Sequence, residues 1–238
     1  MDMPAFWFTE VLGDAYDVDD LPHFFPSGTT FAYREEGRTW LKSDRYLLDM
    51  TAAQVHAEAE RVLDEMSGAL CIFLGHYQRP KTGTVYLQHS DGHKTGHHIL
   101  KVDGAAIRSK ARAALEGSSG PTVPQQFVLA AKRSPHLQTA SLIWTDQVRT
   151  WPRLYRVMEE VQQHFGMPPY SAGLCGKAEY KNFEHTANSA EAAGLDARHA
   201  LGKFEAPAAP MTLPMAEAFV GRVLERTFRR VIGVAHLD

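Results

Sequence analysis

The chain reads as an α+β protein, a mixed strand-and-helix N-terminal half followed by an all-helical bundle. Three observations predict it. Short β-prone runs separated by turn dipeptides, with one long amphipathic helix among them, fill residues 25–115. The stretch "EGSSGPTVP" at 116–124 clusters glycine, serine and proline as a domain boundary would. Beyond it, apolar residues recur at helical spacing to the end of the chain. The expected domains are an α/β unit over 1–115 and a helical unit over 121–238.

Taken in order, the first thirty residues are rich in aromatics, acids and proline. They predict an irregular or edge segment with one short strand, and Asp17, Asp19 and Asp20 predict a solvated acidic loop. "TTFAYREEGRTWLKSDRYLLDM" carries two β-prone runs around "EEGR", a hairpin signal. "TAAQVHAEAERVLDEM" opens with a capping box, Thr51 accepting from the third helical amide and Gln54 reaching back. Its stripe of Val55, Ala59, Val62, Leu63 and Met66 predicts a helix. "ALCIFLGHY" reads as a buried strand, or as a helix end followed by a strand. Asp91-Gly92 then predicts a two-residue hairpin turn between two further strands. "AAIRSKARAAL" reads as a strand end or a short helix.

In the second half, "PQQFVLAAKRS" and "HLQTASLIWTDQ" are short amphipathic stretches. "WPRLYRVMEEVQQHFG" has proline in its first turn and glycine at its end, the polarity expected of a helix. "CGKAEYKNFEHTANSAEAAG" reads as one further helix. The last helix, "MTLPMAEAFVGRVLERTFRRVI", has Thr212 as its N-cap. Its expected stripe is Met215, Phe219, Val220, Val223, Phe228 and Val231.

Composition narrows function more than it assigns it. A net charge of −3 argues against a strongly basic nucleic-acid binder, while leaving room for a local basic patch. The two cysteines, Cys71 and Cys175, form no C-x-x-C pair, so thiolate zinc sites lack their ligands. Both read as small hydrophobes of a reducing cytoplasm. The N-terminus lacks the basic and apolar regions of a signal peptide, and the longest apolar run, Ala69–Leu74, is six residues. The expectation is a cytoplasmic protein without a membrane partner. The phosphate-binding motifs G-x-x-x-x-G-K-[ST] and G-x-G-x-x-G are absent, as are the G-x-S-x-G elbow and H-E-x-x-H. No cofactor is expected.

The most chemical-looking stretch is "HSDGHKTGHH", with His89, His93, His97 and His98 in ten residues. On a two-residue turn, Tyr86 faces His97 and Val85 faces His98. His93 and His97 then share one face, and His89 and His98 the other. The paired rows lie about 13 Å apart. Zinc needs nitrogens about 2.0–2.1 Å from the ion. A metal site would need a bulge or an outside ligand such as His76, and the reading is a polar hairpin without metal. A metal-dependent enzyme built on this hairpin is the third functional reading.

A second polar stretch, "FEHTANSAEAAGLDARHALGKFEAPAAPM", holds His185, Asn188, Asp196, Arg198, His199 and Lys203. Histidine exchanges protons near neutral pH and arginine stabilises anionic charge, so Arg198, His199 and His185 are the candidate catalytic residues. Asp196 pairing with Arg198, and His199 bonding a carbonyl, are the competing structural roles. Arg222, Arg226 and Arg229 form a basic stripe on the last helix and, with Lys203, are the candidate binding residues for a nucleic-acid backbone or an acidic partner.

"WPRLYRVMEEV", "FEHTANSAEAAGLDARHA" and "APMTLPMAEAFVGRVL" resemble the C-terminal part of a group of uncharacterised bacterial proteins with similar N-terminal α/β halves. More distantly, this order of helix, Arg/His loop and helix is similar to HEPN domains. Those are helical bundles of toxin–antitoxin and antiviral systems, often metal-independent ribonucleases. Their signature spaces arginine and histidine by four to six residues, whereas Arg198 and His199 are adjacent. The resemblance implies a binding or interaction module in defence or stress response, with a protein or RNA partner and room for a homodimer through the helical half. The alternative it implies is an RNA-cleaving enzyme using Arg198 and His199, supported by His185.

Overall fold

A computed structural model of the chain describes residues 4–75, 77–98, 120–146, 148–199 and 203–233. The strands are β1 (Phe6–Leu12), β2 (Thr30–Glu35), β3 (Arg38–Ser43), β4 (Lys81–Gln88) and β5 (Lys94–His97). The helices are α1 (Ala15–Phe24), α2 (Ala52–Leu74), α3 (Val123–Lys132), α4 (Pro135–Thr145), α5 (Trp151–Phe165), α6 (Lys177–Asn188), α7 (Ala190–Ala193) and α8 (Leu213–Ile232). The protein is α+β. It divides into one compact unit of Met1–Leu70 with His76–Gln126, and another of Cys71–Gly75 with Phe127–Asp238. The last turn of α2 therefore clusters with the helical unit, and the start of α3 with the sheet unit. The stretch "AAIRSKARAAL" and His76 lie outside the described residues.

In the first unit the strands form one antiparallel sheet in the order β2-β3-β1-β4-β5. The one short strand expected in the first thirty residues is β1, but it lies at the centre of the sheet rather than in an irregular or edge segment. Trp7, Phe8 and Thr9 are all buried, Phe8 beneath the neighbouring rings of Trp40 and Tyr86, so the strand shows no alternation to read. α1 was also hidden by its acids. Asp14 caps it, its carboxylate accepting from the Tyr16 amide at 2.9 Å. Asp17 and Asp20 are each 1% exposed, not solvated. The Asp17 carboxylate accepts from the Gln78 amide at 3.0 Å, and its carbonyl accepts from the Tyr77 hydroxyl at 3.0 Å. Asp19 pairs with Arg34.

α2 begins with the capping box read from the sequence. The Gln54 amide donates to Thr51 Oγ1 at 3.3 Å, and the Thr51 amide donates to Gln54 Oε1 at 2.8 Å. The helix then runs through Leu74, so of the two readings of this stretch the helix end holds and the buried strand does not. Ala69, Leu70, Cys71 and Ile72 are all buried, and burial on every side erases the helical period. Gly75, at φ +74°, stops the helix, its amide donating to the Cys71 carbonyl at 3.1 Å. One sheet face packs Trp7 and Val85 with Val55 and Ala59 of α2 and with Tyr46. Arg79 clamps the helix flank through Glu60 at 3.0 Å and Asp64 at 2.5 Å. Burial opposes ionisation of Glu60, but hydrogen bonds from Thr82 and the Arg79 charge outweigh it and hold the carboxyl below its usual range.

The helical unit has its own core, with Phe127, Phe183, Phe219, Phe228, Leu137 and Leu154 essentially inaccessible. α5 ends at Gly166 and α8 at Gly233, both left-handed, at φ 65° and 73°. Thr212 caps α8 as expected, accepting from the Met215 amide at 3.4 Å. The α8 stripe is shifted from its expected limits. Met215 and Val231 are exposed, whereas Ala216, Leu224 and Thr227 are buried. The single helix expected over 175–194 is broken. Ser189 is extended between α6 and α7, its amide bonded to the His185 and Thr186 carbonyls at 3.1 and 3.2 Å. Among the described residues, no helix is long and apolar enough to cross a membrane.

Candidate functional site

The structure places the expected catalytic residues at the end of α6 and in the segment after it. Arg198 pairs with Glu159 of α5 at 2.9 Å and lies over the Tyr155 ring at 4.4 Å. Its amide donates to the Ala187 carbonyl at 3.0 Å. The guanidinium thus ties this segment to α5. His199 sits beside Lys203, 3.4 Å from Nδ1 to Nζ, with the Phe204 ring 4.9 Å away. Desolvation, then the charges of Lys203 and Arg198, lower the His199 pKa. His185 is exposed on α6, near its C-terminus. Arg198, His199 and Lys203 are therefore neighbours. Among the described residues His185 makes no hydrogen bond to them, and none of the four lines the cavity beside Arg153 or the one beside Arg34.

The α8 arginines are held by the fold. Arg222 pairs with Glu179 at 2.6 Å, and Arg229 pairs with Glu225 at 2.9 Å. Arg226 donates to the Leu174 carbonyl at 3.1 Å, and Arg230 donates to the Ala172 carbonyl. The basic stripe ties α8 to α6 and to the turn-rich segment between α5 and α6. Burial, with Glu179 adding to it, pushes the Cys175 thiol up to about 11, away from thiolate chemistry.

The histidine hairpin forms in a register one residue away from the expected one. Tyr86 faces Gly96 and Val85 faces His97. The His89 amide donates to the His93 carbonyl at 2.8 Å, and Gly92 takes φ +88°. Three residues, Ser90 to Gly92, make the loop in place of two. A one-residue slip moves every side chain after the turn to the other face. His89, His93 and His97 therefore share the face that carries Trp7. The His89 and His93 rings lie 5.8 Å apart, and His97 lies 5.7 Å from Trp7. His89 Nε2 bonds Thr95 at 2.9 Å, while His98, on the opposite face, bonds Thr84 at 2.9 Å. Among the described residues, no group of three or more His, Cys, Asp or Glu side chains is placed to hold a metal ion.

The opposite face of the sheet is a site that periodicity did not reveal. Alternation along four strands puts Phe31 and Tyr33, Trp40, Phe6 and Phe8, and Tyr86 on it together. Phe8 stacks on Tyr86 at 5.4 Å and 17°, and Trp40 meets both rings edge-on at 5.3 and 5.4 Å. Phe8 and Trp40 are the buried floor, and Phe6, Phe31, Tyr33 and Tyr86 are half-buried around it. The Lys42 ammonium lies 3.5 Å from the Phe6 centroid, and that of Lys94 lies 5.5 Å from the Phe8 centroid. Lys94 also approaches Glu35 at 3.9 Å, and Arg38 approaches Glu10 at 3.6 Å. Burial, then the Glu35 charge, push the Tyr33 hydroxyl up to about 12, so it stays a donor. Tyr86 crosses Gly96, where a Cβ would meet its ring at 2.9 Å.

A polar seam that no local sequence pattern marks in full runs between α4 and α5. Ser134, His136, Glu160 and His164 are far apart in sequence, but the two helices bring them together. His136 Nδ1 lies 2.7 Å from Glu160 Oε2, and Arg156 donates to Oε1 at 2.6 Å. Ser134 Oγ lies 2.9 Å from His164 Nδ1. Burial, then the nearby His136, lower the His164 pKa. A signal existed in the i, i+4 spacing of Glu160 and His164, but their partners needed the helix pairing. Comparison with family models, with curated proteins and with solved structures returns no match. The likeness to HEPN domains thus rests on the quoted motifs alone.

Proposed function

We propose that this chain is a binding module, and that the aromatic face of its sheet takes up single-stranded RNA. One observation carries the reading: six aromatic side chains from four strands share that face, with Lys42 and Lys94 lying over two of the rings. Bases stack on aromatic rings at about 1–3 kcal/mol each, and interleaved lysines meet the phosphates. The half-buried Phe6, Phe31, Tyr33 and Tyr86 offer ring surface, while Phe8 and Trp40 hold them in place. The Glu10 and Glu35 carboxylates reduce the net positive charge, so affinity should rest more on stacking than on phosphate contacts, with a shallow salt dependence.

Fluorescence anisotropy with a labelled single-stranded RNA of about a dozen nucleotides tests this, since one base–ring stack is worth about tenfold in affinity. Tyr86→Ala and Lys42→Ala should each weaken binding, and Arg222→Ala on α8 should not. Absence of binding at about 100 μM protein, the weak end of non-specific affinities, would overturn the reading.

A second reading, metal-independent RNA cleavage at Arg198 and His199, is favoured by one observation. His199 is held below its usual pKa beside two cations, so it is a neutral base near pH 7. Cleavage of RNA in the presence of a chelator, lost in His199→Ala, would support it. Stable RNA over hours of incubation would sink it.

A further inference from the structure

The end of α4, the turn after it and the start of α5 line a cavity of about 500 Å³ bounded by Leu142, Ile143, Asp146, Pro152, Arg153 and Arg156, further along the same helix pair as the polar seam. Arg156 belongs to both. It lines the cavity and holds Glu160, which in turn holds His136. We propose that this seam is a hydrolytic site, in which His136 activates water against an ester with an apolar chain and a carboxylate at its far end.

The roles follow from the bonds. Glu160 is 5% exposed and its Oε2 lies 2.7 Å from His136 Nδ1, an arrangement that orients the ring with Nδ1–H toward the carboxylate and Nε2 toward solvent. His136 itself is half open to solvent, with 46% of its side chain exposed. Arg156 holds the other carboxylate oxygen of Glu160 at 2.6 Å and so fixes the plane of the carboxylate. Ser134 is not the nucleophile. Its hydroxyl accepts from the Leu137 amide as the cap of α4 and shares a hydrogen bond with His164 Nδ1, so it is engaged on both sides.

The step balances with water as co-reactant. His136 Nε2 takes one proton of a water whose oxygen bonds to the ester carbon. The carbonyl electron pair moves to its oxygen, then returns as the bond to the alcohol or phenol oxygen breaks. The leaving oxygen and the new acid share the water's protons. The substrate's shape follows from the cavity. Ile143 lies seven residues along α4 from His136, about 10 Å at helical rise. An apolar chain on Leu142, Ile143 and Pro152 would place a terminal carboxylate near Arg153, which pairs with Asp146 through one of its five donors.

The probe is mono-4-nitrophenyl suberate, compared with the neutral 4-nitrophenyl octanoate. The protein should release 4-nitrophenolate from the suberate faster than equimolar imidazole. His136→Gln, whose fold is checked by circular dichroism, should fall to that background. Glu160→Gln should lower kcat about tenfold with KM unchanged, and Glu160→Asp should restore part of it, as expected of a positioning residue. Arg153→Ala should raise KM for the suberate and leave the octanoate unaffected. A wild-type rate no greater than imidazole, or full activity in folded His136→Gln, would overturn the site. An unchanged suberate KM in Arg153→Ala would overturn the substrate.

Discussion

The hairpin and the α4–α5 seam gather histidines in opposite ways. The hairpin carries His89, His93, His97 and His98 within ten residues, yet His89 and His98 bond threonines and His97 lies against Trp7. The seam takes its two histidines from positions 28 apart, 136 and 164, and gives one a buried carboxylate and the other a serine. Local density is a property of the chain, and convergence is a property of packing. Strand alternation spreads neighbouring residues over two faces, whereas paired helices align rows one turn apart from both partners.

Three changes should sharpen or break this contrast. Glu160→Ala leaves His136 and Arg156 around a buried gap, and should cost about 1.5–3 kcal/mol in denaturant unfolding. A loss under 0.5 kcal/mol would place the carboxylate outside the packed structure and remove the contrast. On the hairpin side, Gly96→Ala must displace the Tyr86 ring, and should cost about 1 kcal/mol while weakening RNA binding. The smallest effect belongs to pH. The depressed His164 pKa means that the unfolded chain binds the proton more readily. Its contribution is therefore complete above the unfolded value, about 6.5, and shrinks as pH falls toward the folded value. His164→Asn keeps a polar partner for Ser134 and should flatten the fall in melting temperature between about pH 7.5 and 5.5. An equal fall in both proteins would show that His164 is solvated.

Elements with a local cause were readable from the chain. The Thr51–Gln54 box, the Thr212 cap and the hairpin around "EEGR" are set by neighbouring residues. Segments buried all round were not. β1 and the end of α2 have apolar residues on every side, so neither period appears in them. The hairpin turn was legible but its length was not, and one added loop residue reversed the faces of the three histidines after the turn, His93, His97 and His98. Of the candidate site residues, Arg198, His199 and Lys203 are adjacent as their spacing suggests. The aromatic face needed the sheet order, because β1 and β4, which carry Phe8 and Tyr86, join the locally set β2–β3 hairpin through pairings that no local pattern specifies.

The α8 arginines carry a consequence for the order of folding. Arg226 and Arg230 bond carbonyls 52 and 58 residues earlier in the chain. The turns at 168–175 therefore gain these anchors only once α8 has docked. Until then two carbonyls face water and the segment is open to cleavage. Protease resistance at 168–175 should appear together with closure of the helical core, which makes this segment a kinetic reporter of the final docking step.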